Sequence, residues 1–283
     1  MTKSLDELVS DANSLIAFPA VVSEFNNAVN QESTDSEKLG SILQVDPALT
    51  AKLLQLSNSA YFGTSIPVEN VKDAIFRLGI KQTRDLVYGI CAKNSFNGIT
   101  NDLITSEDFW KHSLICALSA REIAKSIKLH PADTMFTAGL LHDIGDLVLF
   151  SFEPEKSAEA VAISLDEYDG MHQSDAERAI FKFDHTDVGG RLSHHWGLPE
   201  ILRTCIANHH KPGEQSQYAK QVAVIHVANA VSELIEVNSH DFSQCEIIDD
   251  SIWKLLATDS SVIESCFSVV QEEYDDMSKL MFN

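Results

Sequence analysis

Cysteine is sparse in this chain of 283 residues: Cys91, Cys116, Cys205, Cys245 and Cys266 are widely spaced, odd in number and form no C-x-x-C pair. That excludes a disulfide framework and a thiolate zinc site, and leaves them as buried small side chains in a reducing cytosol. Basic residues are outnumbered, 21 Lys plus Arg against 42 Asp plus Glu, and form no cluster along the chain. A net charge of −21 gives little pull toward DNA, RNA or anionic lipid, so neither a nucleic-acid polymer nor a membrane is expected as a partner. Long apolar runs are missing too. The most apolar stretch, GLLHDIGDLVLF, is broken by charges well short of the roughly 18 residues a membrane span requires. The opening MTKSLDELVSD has no apolar leader core, so a cytoplasmic protein is expected. With only 12 Gly and 7 Pro, a flexible tether between domains is not indicated, and closely packed lobes are.

What is present is an ordinary globular composition, 44% hydrophobic and 22% charged, with apolar residues recurring at helical spacing. Ser4 with Glu7 and Thr34 with Glu37 fit a capping box, and Pro47 and Pro131 suit a first helical turn. The pattern predicts helices at about 5–14, 19–31, 35–44, 47–58, 71–78 and 80–96, then 106–128, 131–142, 144–150, 153–168, 173–182, 187–196, 199–208, 217–236, 250–257 and 259–280. No alternating-period strand stands out. The expected fold class is all-α: two closely packed helical lobes, residues 1–100 and 101–236, divided at FNGITNDLIT (96–105), with acidic C-terminal helices in 237–283 packed on the second.

Histidine and acid are unevenly spread. No histidine precedes His112, and ten of the eleven lie between His112 and His226. Residues 233–283 hold 12 acids and 2 bases; two amphipathic helices with solvated acidic faces account for this, the alternative being a docking surface for a basic partner. Imidazole and carboxylate suit divalent zinc, iron or manganese, and helical proteins build such sites from side chains on several facing helices. His112, the His142-Asp143 doublet, His185, the His209-His210 pair and polar Asn229 are the candidates. The competing reading is that they cap and fill a helical core. Asp108, four residues before His112 and on the same helical face, is either an acceptor or ligand of the group or a simple N-terminal helix acid. His194 and His195 read as helix-end residues, and His130, His172, His226 and His240 as solvated or locally satisfied.

LLHDIG, with WKHS upstream and IANHHKP downstream, resembles the HD superfamily of metal-dependent phosphohydrolases. QVDPALTAKLLQLSNSAYFG, followed by VENVKDAIFRLGIKQTRDLV and later DHTDVGGRLSHHWGLPEIL, resembles more specifically the HDOD family, the HD-related output domain of bacterial signalling proteins, from about Phe18 to about Val231. The resemblance places the metal-binding positions of the superfamily at His112, His142, Asp143, His185, His209 and His210. It implies a bound water activated on a phosphoester in the catalytic members.

Two departures argue against that catalysis. Where the superfamily closes its site with Asp, this chain has Asn229, a weaker ligand that cannot act as a base. Where many HD enzymes read HDIGK, it reads HDIGD, so Asp146 stands where a cation would hold phosphate. Arg121, Arg178, Arg191, Arg203 and Lys211 are left as candidate sources of positive charge. The resemblance therefore implies a non-catalytic output protein that acts on a signalling partner, around a structural or vestigial divalent metal. With no receiver or GGDEF segment in these residues, its input is expected in trans. The alternatives are an HD-type phosphohydrolase of a nucleotide or cyclic dinucleotide, with His142 and Asp143 at its heart, and a sensor that binds a nucleotide without turnover. Tyr61 or Phe62, if exposed, would be a contact residue of the first lobe.

Overall fold

The computed structural model describes residues 3–15, 19–29, 31, 35–59, 62, 67–96, 103–165, 171–213, 217–237, 239 and 248–282. Tyr61, Thr34, His240, Cys245 and residues 97–102 of the expected lobe boundary lie outside them. Sixteen helices occur among the described residues, with no strand. They are α1 (Leu5–Leu15), α2 (Ala20–Val29), α3 (Ser36–Leu43), α4 (Pro47–Ser57), α5 (Val71–Leu78), α6 (Ile80–Ser95), α7 (Ser106–Ser126), α8 (Ala132–Leu141), α9 (Ile144–Phe152), α10 (Pro154–Ser164), α11 (Gln173–Phe181), α12 (His185–His195), α13 (Glu200–Asn208), α14 (Ala219–Glu236), α15 (Asp250–Leu256) and α16 (Val262–Phe282).

Local chemistry sets the ends of these helices. Ser4 and Glu7 exchange hydrogen bonds ahead of α1. Asp35 caps α3 through the amide of Lys38 at 2.8 Å, and Asp46 caps α4 with Pro47 in its first turn. Gly79, at φ 80°, closes α5 and opens α6, a left-handed backbone that other residues adopt at a cost. Asp184 and Asp187 form a capping box that starts α12 at His185, two residues earlier than the apolar pattern suggests.

Helices α2 to α6 form the first lobe around Val22, Phe25, Leu39, Leu43, Leu53, Leu56 and Ile75, all fully or almost fully buried. Phe62 is partly buried against this core. The long helix α7 is the spine of the second lobe, packed by α8, α14 and α16, while α9 lies on α12 and α12 on α13. The lobes join where α6 meets α8; there the buried Asp85 accepts from Thr134 at 2.8 Å and pairs with Arg84 at 3.1 Å.

Two terminal helices depart from the expected grouping. Helix α1 does not join the first lobe but packs on α9 and α12, where Asp6 pairs with Arg191 and Lys3 lies 5.5 Å from the Phe152 ring centre. The 3–4 spacing of Leu5, Leu8, Val9 and Ala12 marks its buried face without specifying what covers it. Helix α16 packs on α7 but also reaches α4, where Lys52 Nζ donates to the Leu280 carbonyl at 2.9 Å. Its apolar stripe, Val262, Ile263, Phe267, Val270 and Met277, is buried, and Glu264, Glu272, Asp275 and Asp276 face outward.

The stretch Ala132–Phe152 is long and apolar enough by composition to cross a membrane, yet it is mostly buried inside the fold. It turns between α8 and α9 at His142 and Asp143, and that turn is the floor of the site.

Candidate metal centre

Six helices deliver the side chains. His112 projects from α7; His142 caps the end of α8, and Asp143 the start of α9. His185 opens α12, His209 closes α13 with His210 next to it, and Asn229 comes from α14. The crossing of α9 over α12 depends on Gly145, because a Cβ there would sit 2.0 Å from the His185 carbonyl oxygen. That close approach draws His185 toward Asp143.

Asp143 is the hub. Its Oδ2 is 3.0 Å from His142 Nε2 and 3.6 Å from His112 Nε2. Its Oδ1 is 3.2 Å from His209 Nε2 and 3.6 Å from His185 Nε2. His185 Nε2 in turn lies 2.9 Å from His210 Nε2 and 3.4 Å from His209 Nε2.

The far side of each ring determines what these nitrogens can do. His142 Nδ1 is 2.8 Å from the Gly139 carbonyl and His209 Nδ1 is 3.0 Å from the Ile206 carbonyl. A carbonyl only accepts, so the proton sits on Nδ1 and Nε2 turns a lone pair inward. Carboxylates do the same for His185, through Glu177 at 2.7 Å, and for His112, through Glu236 at 3.1 Å. Lone pairs therefore face a carboxylate and one another, and Asp143 Oδ1 is buried without a hydrogen-bond partner.

Such a group needs protons or a cation. Burial opposes charge throughout, yet the pairing of His142 with Asp143 raises the imidazole well above its usual range and holds the carboxyl well below. Glu177 and Asp146 likewise raise His185 against burial. Burial wins at His209, pushed down to about 4, and at His210, which is also lowered.

Two ligand sets share the hub. Asp143, His185, His209 and His210 form one, and His112, His142 and Asp143 the other, each with its donor atoms within 4.8 Å of one another. An imidazole and carboxylate set of this kind fits iron, manganese or zinc. The sets differ in one respect. Asn229 Oδ1 stands 2.9 Å from His112 Nε2 and 3.1 Å from His142 Nε2. The same amide turned over would donate N–H to both, satisfying that set without an ion. The first set has no such donor.

A cavity of about 640 Å³ opens onto the centre. Ile104, Phe109, Phe150, Leu165 and Met171 give it apolar walls, Asp108, Glu233 and Glu236 acidic ones, and Lys111 is its one basic residue among those described. None of Arg121, Arg178, Arg191, Arg203 and Lys211 borders it; Arg121 pairs with Asp133, Arg178 with Asp184 and Asp187, and Arg191 with Asp6.

The fold thus brings together all six candidate ligands and Asn229. Asp108 stands apart from them, its carboxylate held by Thr105 in the capping box of α7 at the cavity wall. Asp146 borders the cavity but is buried, taking two hydrogen bonds from Gln173 and lying 3.6 Å from His185 Nδ1. Burial and the nearby Glu177 push its carboxyl well up while His185 opposes them, so the position expected to repel phosphate is engaged by Gln173 beneath His185.

Four participants escaped the sequence reading. Glu177 holds His185; Glu236 holds His112; His226 meets the His209 carbonyl at 2.9 Å; and His172, the cap of α11, stacks edge-on to His210 at 4.3 Å. Only the order of motifs along the chain signals the ligands, and none of these four belongs to a motif.

Comparison with known proteins agrees with this architecture. A profile of the HDOD domain matches residues 15–212. An uncharacterized protein of Treponema pallidum is 22% identical over 238 residues, which is 83% of this chain but 45% of that protein, so the chain spans less than half of it. Among solved structures, a candidate phosphohydrolase from Shewanella amazonensis superposes with a TM-score of 0.75 at 22% identity, over 97% of each chain. An HDOD domain protein of unknown function from Geobacter sulfurreducens gives 0.67 at 24%, over 97% of this chain and 95% of that one. A candidate signal transduction protein from Marinobacter aquaeolei gives 0.74 at 19%, over all of this chain and 62% of that one. At these identities the likeness speaks for the fold.

Proposed function

This chain belongs to the HDOD domain family, and we propose that it is a bacterial signalling protein built around one divalent cation, acting on a partner protein and not by phosphoester hydrolysis. Asp143, His185, His209 and His210 would hold the ion, leaving His112 and His142 to the Asn229 amide. When bound, the ion supplies the positive charge that these inward lone pairs lack and a Lewis acid facing the cavity. The chain's own residues fix the rings through Nδ1, by Gly139, Ile206, Glu177 and Glu236. The observation that carries the non-catalytic reading is the cavity itself: it sets Glu233 and Glu236 beside the centre and offers Lys111 alone to an anionic substrate.

A second reading, an HD-type phosphohydrolase acting on a nucleotide or cyclic dinucleotide, has one specific support. The two ligand sets share Asp143, as a pair of ions bridged by one carboxylate would require.

The test is elemental analysis of protein purified without chelators after iron, manganese and zinc supplementation, joined to a hydrolysis screen with nucleotides, cyclic dinucleotides and a generic phosphodiester. About one equivalent of metal and no turnover is the expected result, and less than about 0.1 equivalent removes the metal from the reading. Turnover that disappears in His142→Ala replaces the proposal with the second reading.

A further inference from the structure

Six large apolar side chains are exposed among the described residues: Val45, Phe76, Leu103, Leu165, Met171 and Val237. Scattered singly they would call for no explanation. Two of them, however, line the metal-centre cavity, and two more adjoin its lining residues in sequence. Leu165 and Met171, 68% and 44% exposed, line it; Leu103 precedes the lining residue Ile104; and Val237, 70% exposed, lies one helical turn beyond the lining residue Glu233. They come from four separate segments, ahead of α7, at the end of α10, ahead of α11 and at the end of α14. A cover that reaches from Leu165 and Met171 to Val237 must be wider than the cavity, which favours a macromolecular segment over a small molecule.

Charge narrows the occupant. Asp108 is tied to Thr105, Asp146 to Gln173 and Glu236 to His112, and Asp143 is the hub of the centre. The Glu233 side chain makes no hydrogen bond or ion pair with the described residues, and burial against the cavity walls, with Asp143 and Glu236 nearby, pushes its carboxyl upward against the opposing pull of His112. An unpaired carboxylate beside an apolar rim selects for a cation flanked by apolar groups, the pattern of a basic amphipathic peptide. The overall charge of −21 would speed encounter with such a segment.

We infer that the mouth of this cavity docks a basic amphipathic segment of a partner protein, with a Lys or Arg meeting Glu233 and apolar neighbours covering Leu165, Met171 and Val237. The inference rests on the partner-based reading above and supplies the partner's chemistry.

Fluorescence anisotropy on the full chain tests it with three labelled synthetic peptides of equal length: an amphipathic Leu/Lys helix, the same with Ser for Leu, and the same with Glu for Lys. The Leu/Lys peptide is expected to bind tightest. Glu233→Gln, and separately Leu165→Ser with Met171→Ser, should each weaken it by about tenfold or more, with metal content unchanged. Glu272→Gln, Asp275→Asn and Asp276→Asn together, on the outward face of α16, should leave binding as it was.

Equal binding of the Ser/Lys peptide, or an equal loss in the α16 variant, reduces the effect to diffuse charge and overturns the inference. So does a loss of metal in Glu233→Gln, which would assign that residue to the centre, and so does a homodimer abolished by the Leu165→Ser and Met171→Ser pair, which would give the rim to a second copy. Failed peptide binding by metal-bearing, non-hydrolytic protein sinks this inference alone, whereas turnover abolished by His142→Ala sinks the reading beneath it.

Discussion

The two lobes treat buried polar groups in opposite ways. In α2 to α6 such groups are few and closed on neighbours: Ser57 donates to the Leu54 carbonyl, Thr83 to that of Gly79, and Asp85 is held by Arg84 and Thr134. Around α7 to α14, His185 and His209 are buried with lone pairs facing one another, and an oxygen of Asp143 is left without a hydrogen bond. A satisfied buried polar group locks packing, whereas an unsatisfied one is costly unless a ligand completes it. The contrast therefore separates a lobe whose buried polar groups are closed on themselves from one whose groups are left open to a ligand.

Removing the hub should break the contrast most completely. Asp143→Asn takes a ligand from both sets, and metal affinity measured by competition with a chromogenic chelator should fall by about a hundredfold or more. The matching change in the first lobe, Asp85→Asn, should leave metal content intact and lower stability by about 1–3 kcal/mol in urea unfolding.

Packing substitutions should divide along the same line. Leu53→Ala, in the core of the first lobe, should cost about 2–5 kcal/mol with unchanged metal stoichiometry. Gly145→Ala should cost about 1–3 kcal/mol and also weaken metal binding, because its Cβ meets the His185 backbone and must push α12 from α9. A Gly145→Ala protein that binds metal normally would show that α12 can shift without moving His185.

The pH dependence that histidine brings belongs to the second lobe, since the first has none. In the metal-free chain, His142 and His185 have raised pKa values, so the stability they contribute is full below about 6.5 and lost as pH rises through their folded values. His209, at about 4 in the fold, acts in the reverse sense: its contribution is present above about 6.5 and lost as pH falls toward 4. Metal held by Asp143 and His185 must displace the extra proton that Glu177 and Asp146 favour on His185. Its apparent affinity should then rise as pH climbs above about 6.5, by up to about tenfold per unit for each proton released. A flat profile in calorimetry would mean that the rings bind no extra protons.

The smallest change sharpens the contrast within the site. Asn229→Asp removes the amide that can satisfy His112 and His142 and puts a carboxylate in its place. A second metal equivalent, bound about tenfold more weakly than the first, is expected by titration; retention of one equivalent would place the ion elsewhere than proposed.

Much of this was legible in the sequence, for local reasons. Helix positions follow apolar spacing and caps such as Asp46-Pro47, and all sixteen predicted helices are present within a few residues. The start of α12 was obscured because His185 and Thr186 interrupt the apolar pattern, while the Asp184 cap is just one acid among many. The candidate ligands were legible because their motifs occur in a recognisable order. Their supports were not: Glu177 and Glu236 are ordinary acids on amphipathic helices, and only tertiary packing brings them to His185 and His112. Asp146 was visible as a replaced lysine, but its hydrogen bonds to Gln173 depend on how α9 meets α11. The partner of α1 was hidden for the same reason, since periodicity gives the buried face of a helix and not its neighbour.

The terminal helices have a mechanical consequence. Helix α1, first in the chain, is laid on α9 and α12, and α16, last among the described helices, is fastened to α4 through Lys52 and Leu280. Helix α1 is thus moored to the half that it does not adjoin, and α16, seated on α7, also reaches back to the first lobe. A single protease nick between α6 and α7 should leave two fragments that stay clasped and co-elute on gel filtration, parting only in denaturant, because separating them would strip α1 from one half and α16 from the other.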